Sequence, residues 1–300
     1  MKRIGIISLI LLFTITIWYL FLKTNDFEVR MTISTAPGTV YKNVLDWNKG
    51  LNKGKSQSKI ISKTPFEHLL QRYQYEDFDL ELNWTIEALN DTASTVLIGI
   101  NDQKNPLEAR IKKLFGASPL EAFLEQEFSG LHTVLLHHLE QFYVVIEGEE
   151  NSPKAFVAYM NISCHQDQKA DQMIINSPYI NTFLKENGLT ISANPFLEIV
   201  HWDRYTGMVN FNFCFPIELQ EELPVHEEIQ YKKVPPKKSL KATFYGNYSY
   251  TDEAWFALEA YRCKHQYQAS ETIVEVFYEN PHTTGLRDIE WEAAVYMAMK

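Results

Sequence analysis

The stretch "ETIVEVFYENP", Glu271 to Pro281, decides how the second half of this chain is read. Its β-branched and aromatic residues, followed by a turn, predict a strand. Alternation puts Glu271, Ile273, Glu275, Phe277 and Glu279 on one face, and Thr272, Val274, Val276 and Tyr278 on the other. The second face is the clean apolar one, so alternation alone turns Glu275 toward solvent. Ile273 and Phe277 beside it make that face mixed. A pocket carboxylate is therefore the competing reading.

An upstream copy sharpens the question. "NPFLEIVHWD", Asn194 to Asp203, lies against "ETIVEVFYEN" with Glu198 opposite Glu275. Around each copy the order is strand, helix, strand, strand. One set is "KAFVAYMNIS", a polar helix through "MIINSPYINTFLKENG", "NPFLEIVHWD" and "MVNFNFCFPIEL". The other is "SLKATFYGNYS", "TDEAWFALEAYRCKH", "ETIVEVFYEN" and "DIEWEAAVYMA". The repeats run over about 154–218 and 236–300. Between them "QEELPVHEEIQYKKVPPKK" reads as a connector or an extra edge strand.

This half resembles the GyrI-like effector-binding family. Gly246, Tyr248, Ala254, Trp255 and Leu258 stand at its marked positions, as do Glu275, Phe277 and Pro281 in "VEVFYENP". Phe277 replaces the usual tyrosine, and Asn194 stands where a glycine is common. The resemblance covers Lys154 to Lys300. It implies two pseudo-twofold βαββ units whose sheets form a groove, with the strand glutamate among aromatic rings. The ligand-binding residues it implies are Glu275, Tyr248, Trp255, Trp291, Phe277, Tyr245, Phe211, Phe213, Trp202 and Glu198. A carboxylate ringed by aromatics suits an organic cation. The alternative is a hydrolase of a reactive small molecule, with Glu275 as general base.

The first half reads differently. "FEVRMTI" predicts a strand, a Pro-Gly break follows, and then a short helix carries Val40, Val44 and Leu45 on one face. Strands are expected at Gln57–Lys63, His68–Tyr75, Phe78–Ala88 and Ser94–Asn101. A long amphipathic helix then starts at Ser118-Pro119, with Leu120, Phe123, Leu124, Phe128, Leu131, Val134, Leu135, Leu139 and Phe142 on one face. "VRMTISTAPGTVYKNVLDW" resembles the opening of SRPBCC (START, polyketide-cyclase-like) domains at Ile33, Ala36, Pro37, Val40, Tyr41, Val44 and Asp46. That resemblance covers Phe27 to Phe142. It implies a helix-grip fold, an antiparallel sheet around a long helix, with a cavity for an apolar molecule. The fold class expected for the whole chain is thus α+β: a helix-grip domain at 24–148 and a GyrI-like domain at 149–300.

The N-terminus opens "MKRIGIISLILLFTITIWYLFLKTND", without a charge from Ile4 to Leu22. It is expected to be a single-pass membrane anchor over residues 1–23. Lys2 and Arg3 would keep the N-terminus cytoplasmic and the domains outside. A cleaved signal peptide is the competing reading.

Composition narrows the function. The 28 basic and 38 acidic residues give a net charge of −10, a poor match for a polyanion, so no nucleic-acid partner is expected. The three cysteines form no CxxC. No HExxH, nucleophile elbow or Gly-rich phosphate loop is present, so no metal or cofactor is expected. The chain reads as a small-molecule-binding protein, its ligand amphipathic or cationic.

Overall fold

A computed structural model describes residues 2–51, 56–116, 119–280 and 285–300. The chain is α+β, with two antiparallel sheets. It divides into two compact units, one ending at Leu136 and one starting at His137.

In the first unit, α1 (Lys2–Ile17) passes into a π-helical turn at Trp18–Leu22. Then come β1 (Phe27–Ile33), α2 (Pro37–Leu51), β2 (Ser56–Thr64), β3 (His68–Tyr75), β4 (Phe78–Asn90), β5 (Ala93–Asp102), α3 (Pro106–Phe115) and α4 (Pro119–Leu139). The strands form one sheet in the order β1-β5-β4-β3-β2. Trp84 of β4 packs edge-on to Phe128 of α4 at 5.7 Å, and Tyr75 stacks on Phe123 at 4.8 Å. The long helix therefore lies on the sheet through aromatic contacts, and Leu120, Leu124, Phe128, Leu131 and Leu135 are its buried stripe. Ser118, expected to start this helix, lies outside the described residues.

The expected membrane anchor is corrected here. Among the described residues no helix is long and apolar enough to cross a membrane. The apolar run does not form one α-helix: α1 holds 16 residues, about 24 Å at the α-helical rise, against a hydrocarbon core of about 30 Å. At the end of the π-helical turn the chain leaves the helix. Arg110 of α3 donates to the carbonyls of Leu20 and Lys23 at 2.8 Å each and pairs with buried Asp26. With the anchor goes the orientation that placed the domains outside the cell.

The second unit contains β6 (Phe142–Asn151), β7 (Ala155–His165), α5 (Lys169–Glu186), β8 (Phe196–Trp202), β9 (Met208–Pro216), β10 (Ile229–Val234), β11 (Lys238–Gly246), α6 (Asp252–Lys264), β12 (Ala269–Phe277) and β13 (Glu292–Met299). The eight strands run β10-β7-β9-β8-β12-β13-β11-β6. The order is palindromic: β7-β9-β8 mirrors β11-β13-β12 about the β8–β12 seam, with β10 and β6 as outer strands. Each half is strand, helix, strand, strand. The proline-rich connector supplies edge strand β10. Residues 142–148, expected in the first domain, pair with β11.

β12 lies mid-sheet and is buried on both faces. Val274 and Val276 join Val157, Phe196, Cys214, Val234, Ala294 and Tyr296 in one apolar cluster. Ile273, Glu275 and Phe277 lie on the other face, where α5 and α6 supply contacts.

Candidate functional site

Glu275 is 0% exposed. This corrects the expectation from alternation, because α5 and α6 cover that face of β12. Its Oε1 accepts from Lys169 Nζ at 2.6 Å and from Trp255 Nε1 at 2.6 Å. The same ammonium donates to Thr251 Oγ1 at 2.9 Å and stands 4.2 Å from the centroid of the Trp255 ring. Here a carboxylate, an indole face and a hydroxyl enclose a cation, and the cation is a lysine of this chain. Glu275 Oε2 is buried without a hydrogen-bond partner among the described residues. Desolvating a charge is costly, and the Lys169 pairing is what offsets it.

The predicted ligand-binding residues fall into three groups. Trp255, Trp202, Phe211, Phe213 and Phe277 belong with Glu275 on the helix side of the sheet, all buried. Trp202 packs edge-on to Trp255 at 5.1 Å, and its Nε1 donates to Gln166 Oε1 at 3.0 Å. Tyr248 and Trp291 form a second group. The Tyr248 ring lies 4.8 Å from Phe277 and 5.4 Å from Trp291. Its hydroxyl is 2.8 Å from both Glu279 Oε2 and the Glu292 carbonyl, and burial pushes its pKa up. Tyr248 thus fastens the end of β12 to β13.

Tyr245 and Glu198 form the third group, on the opposite face. Residues directly across an antiparallel pair share a face. Glu275 pairs with Leu197, and Glu198 pairs with Val274. The two carboxylates therefore point to opposite sides of the sheet, which corrects the register that placed them in one groove. Glu198 instead meets Lys232, and Asn212 donates to it at 2.9 Å. Burial alone would raise its pKa, but the hydrogen bonds from Lys232 and Asn212 and the charge of Lys232 bring it below the usual value. Tyr245 stacks on Tyr143 at 4.4 Å. Pro281 lies outside the described residues.

The helix-grip resemblance implied a cavity in the first unit without naming the residues that line it. A cleft of about 590 Å³ runs between β1 and α4. Phe27, Val29, Met31, Leu124 and Phe128 are its apolar lining, and Glu28, Lys113, Glu121, Glu125, Ser129 and His132 are among its polar residues. β1 contributes Phe27, Val29 and Met31 from its inner face, and Glu28 and Thr32 also line the cleft. The α4 contribution follows helical spacing: Glu121, Leu124, Glu125, Phe128, Ser129 and His132 lie on one side. This patch straddles the boundary between the buried stripe and the polar face, so hydrophobic periodicity alone does not mark it. His138, which belongs to the second unit, is a satisfied histidine: its Nε2 is hydrogen-bonded to buried Glu253 at 2.8 Å.

No family model matches this sequence, and no curated protein matches it. Solved structures similar in outline include the following three. The C-terminal domain of EcmrR has a TM-score of 0.44 at 14% identity, covering 53% of this chain and 98% of that one. SAV2435 bound to tetraphenylphosphonium gives 0.35 at 8%, covering 52% and 94%. A hydrolase from Listeria innocua gives 0.31 at 9%, covering 53% and 92%. With TM-scores under 0.5, none of these likenesses carries the reading below.

Among the described residues no group of three or more His, Cys, Asp or Glu side chains could hold a metal ion.

Proposed function

We propose that this chain is a small-molecule-binding protein, built from a helix-grip module and a GyrI-like module, whose ligand occupies the cleft between β1 and α4. The observation that carries the reading is the cleft itself: about 590 Å³, with an apolar lining and charged residues around it. Its volume falls in the range of ligand pockets, roughly 300–1,000 Å³, while its seven polar lining residues outnumber the five apolar ones. The helix-grip reading draws support from the strand, helix, strands, long-helix order and from α4 lying on the sheet. The GyrI-like reading draws support from the palindromic strand order and from Gly246, Tyr248 and Trp255 at their expected places.

The Lys169 pairing argues against Glu275 as the ligand anchor, because its compensating cation is already in place. It argues equally against Glu275 as a general base, which must come within hydrogen-bond reach of a substrate proton. Nile red fluorescence tests the reading. The full chain is expected to brighten and blue-shift the dye. Ser129→Trp, an exposed α4 position lining the cleft, is expected to abolish the effect while circular dichroism stays unchanged. Equal dye binding by the folded variant would sink the proposal.

A further inference from the structure

We propose that the cleft between β1 and α4 selects amphipathic cations, and that Lys113 occupies its cation subsite until such a ligand displaces it. This rests on the reading of the cleft as the ligand site. The first observation is a cation already there: Lys113 Nζ lies 4.6 Å from the centroid of the Phe27 ring. Phe27 is 4% exposed and belongs to the cleft lining. A ring face attracts an ammonium within about 6 Å. The second observation is charge. Glu28, Glu121 and Glu125 line the same cleft against one lysine, so the carboxylates and the lysine together carry 1 − 3 = −2. Among the described residues Lys113 makes no ion pair, so no fixed carboxylate partner holds its head over Phe27.

A lysine is a point charge on a flexible four-carbon stem, and it can swing away without breaking backbone structure. An incoming organic cation would then take the same ring face and the same carboxylate field. Its apolar part would lie on Val29, Met31, Leu124 and Phe128. Met31 and His132 also border a smaller pocket of about 10 Å³, lined further by Ile33, Val40, Val44 and Trp84. These two side chains stand between the cleft and that inner pocket, and they mark where the end of a tail would press. An anionic amphiphile would face three carboxylates instead.

The test is calorimetric titration of the full chain, at low salt, with decyltrimethylammonium, decanoate and 1-decanol below their aggregation limits. The cation is expected to bind about tenfold more tightly than the alcohol, with decanoate weakest, and the gap should shrink in high salt. Lys113→Met should tighten cation binding about threefold and leave decanol unchanged. The double variant Glu121→Gln/Glu125→Gln should weaken cation binding about tenfold, again sparing decanol; each exposed charge accounts for up to about fivefold. Equal affinity for the three probes, or cation binding indifferent to Lys113→Met, overturns the selectivity while decanol binding leaves the cleft reading intact. No binding of any probe overturns both.

Discussion

The ammonium of Lys169 lies 2.6 Å from Glu275 Oε1, and the two side chains are 1% and 0% exposed. Lys169 opens α5, where the helix dipole disfavours a cation. Its place is therefore set by the carboxylate across the core. Removing one partner leaves a buried charge uncompensated, which costs about 3–5 kcal/mol, whereas replacing both with apolar residues is often nearly neutral. Lys169→Met and Glu275→Leu should each lower stability by about that amount, and the double variant should recover most of it. Urea unfolding followed by tryptophan fluorescence and far-ultraviolet dichroism measures the cycle. Strictly additive losses would show that the pair is not coupled.

How far the sequence announces this arrangement differs by residue. The strands of the first unit are legible within two residues at either end, because "LELNWTIEAL" alternates cleanly and turns punctuate it. The βαββ repeat is legible for the same reason. Edge strand β6 is not: Phe142 continues the helical apolar spacing of α4, and "EGEEN" reads as a polar boundary. An edge strand exposed along much of its length carries little alternation. Lys169 is hidden for another reason. Its partner is 106 residues away, and no local pattern distinguishes it from a solvated helical lysine. The facing of Glu198 is hidden because likeness between the two copies matches them along the sequence, while the antiparallel pairing fixes which face each residue takes.

The Glu198–Lys232 pair predicts an acid-sensitive face. The folded carboxylate sits below its ordinary 4.5. A lowered carboxylate contributes stability above the unfolded value and loses it as pH falls through the folded one. Lys232→Met removes the hydrogen bond and charge that oppose burial, so the Glu198 pKa should rise and acid unfolding should begin at higher pH. Near-ultraviolet dichroism against pH checks this. An unchanged acid midpoint would mean that the pair does not stabilise the fold.

Gly246 tests the close packing of β11 against β6. Its φ is +148°, and a Cβ there would stand 2.8 Å from Phe142 Cβ and 3.0 Å from the Gln141 carbonyl. A non-glycine residue is strained in that region and has no room to relax. Gly246→Ala should cost about 1–3 kcal/mol. Thermal melts of the variant beside Gly50→Ala, a position with open space around its Cβ, supply the comparison. Equal melting points would show that the contact relaxes freely.

In the first unit, Trp84 Nε1 donates at 2.9 Å to Gln71 Oε1, and both residues are 0% exposed. The Gln71 amide in turn donates to Ser58 Oγ at 2.7 Å. Trp84→Phe removes that donor and leaves the Gln71 oxygen unpaired, at a cost of about 1–3 kcal/mol beyond the lost ring volume. Trp84→Phe combined with Gln71→Leu should be less destabilised than Trp84→Phe alone. Denaturant midpoints decide it; a double variant weaker than the single would assign the loss to packing rather than to the orphaned amide.

The last prediction separates the two regions that the sequence offered as ligand sites. If ligand sits against α4, binding is indifferent to the charge of Glu275. The double variant Lys169→Met/Glu275→Leu, which removes both buried charges together, should bind Nile red and decyltrimethylammonium within about twofold of the parent, since no charged contact of the cleft is altered. Ser129→Trp should lose both. The opposite pattern, with binding lost on removal of the buried pair and retained with tryptophan in the cleft, would move the ligand site to the second unit and return Glu275 to the ligand-binding role that the family resemblance implies.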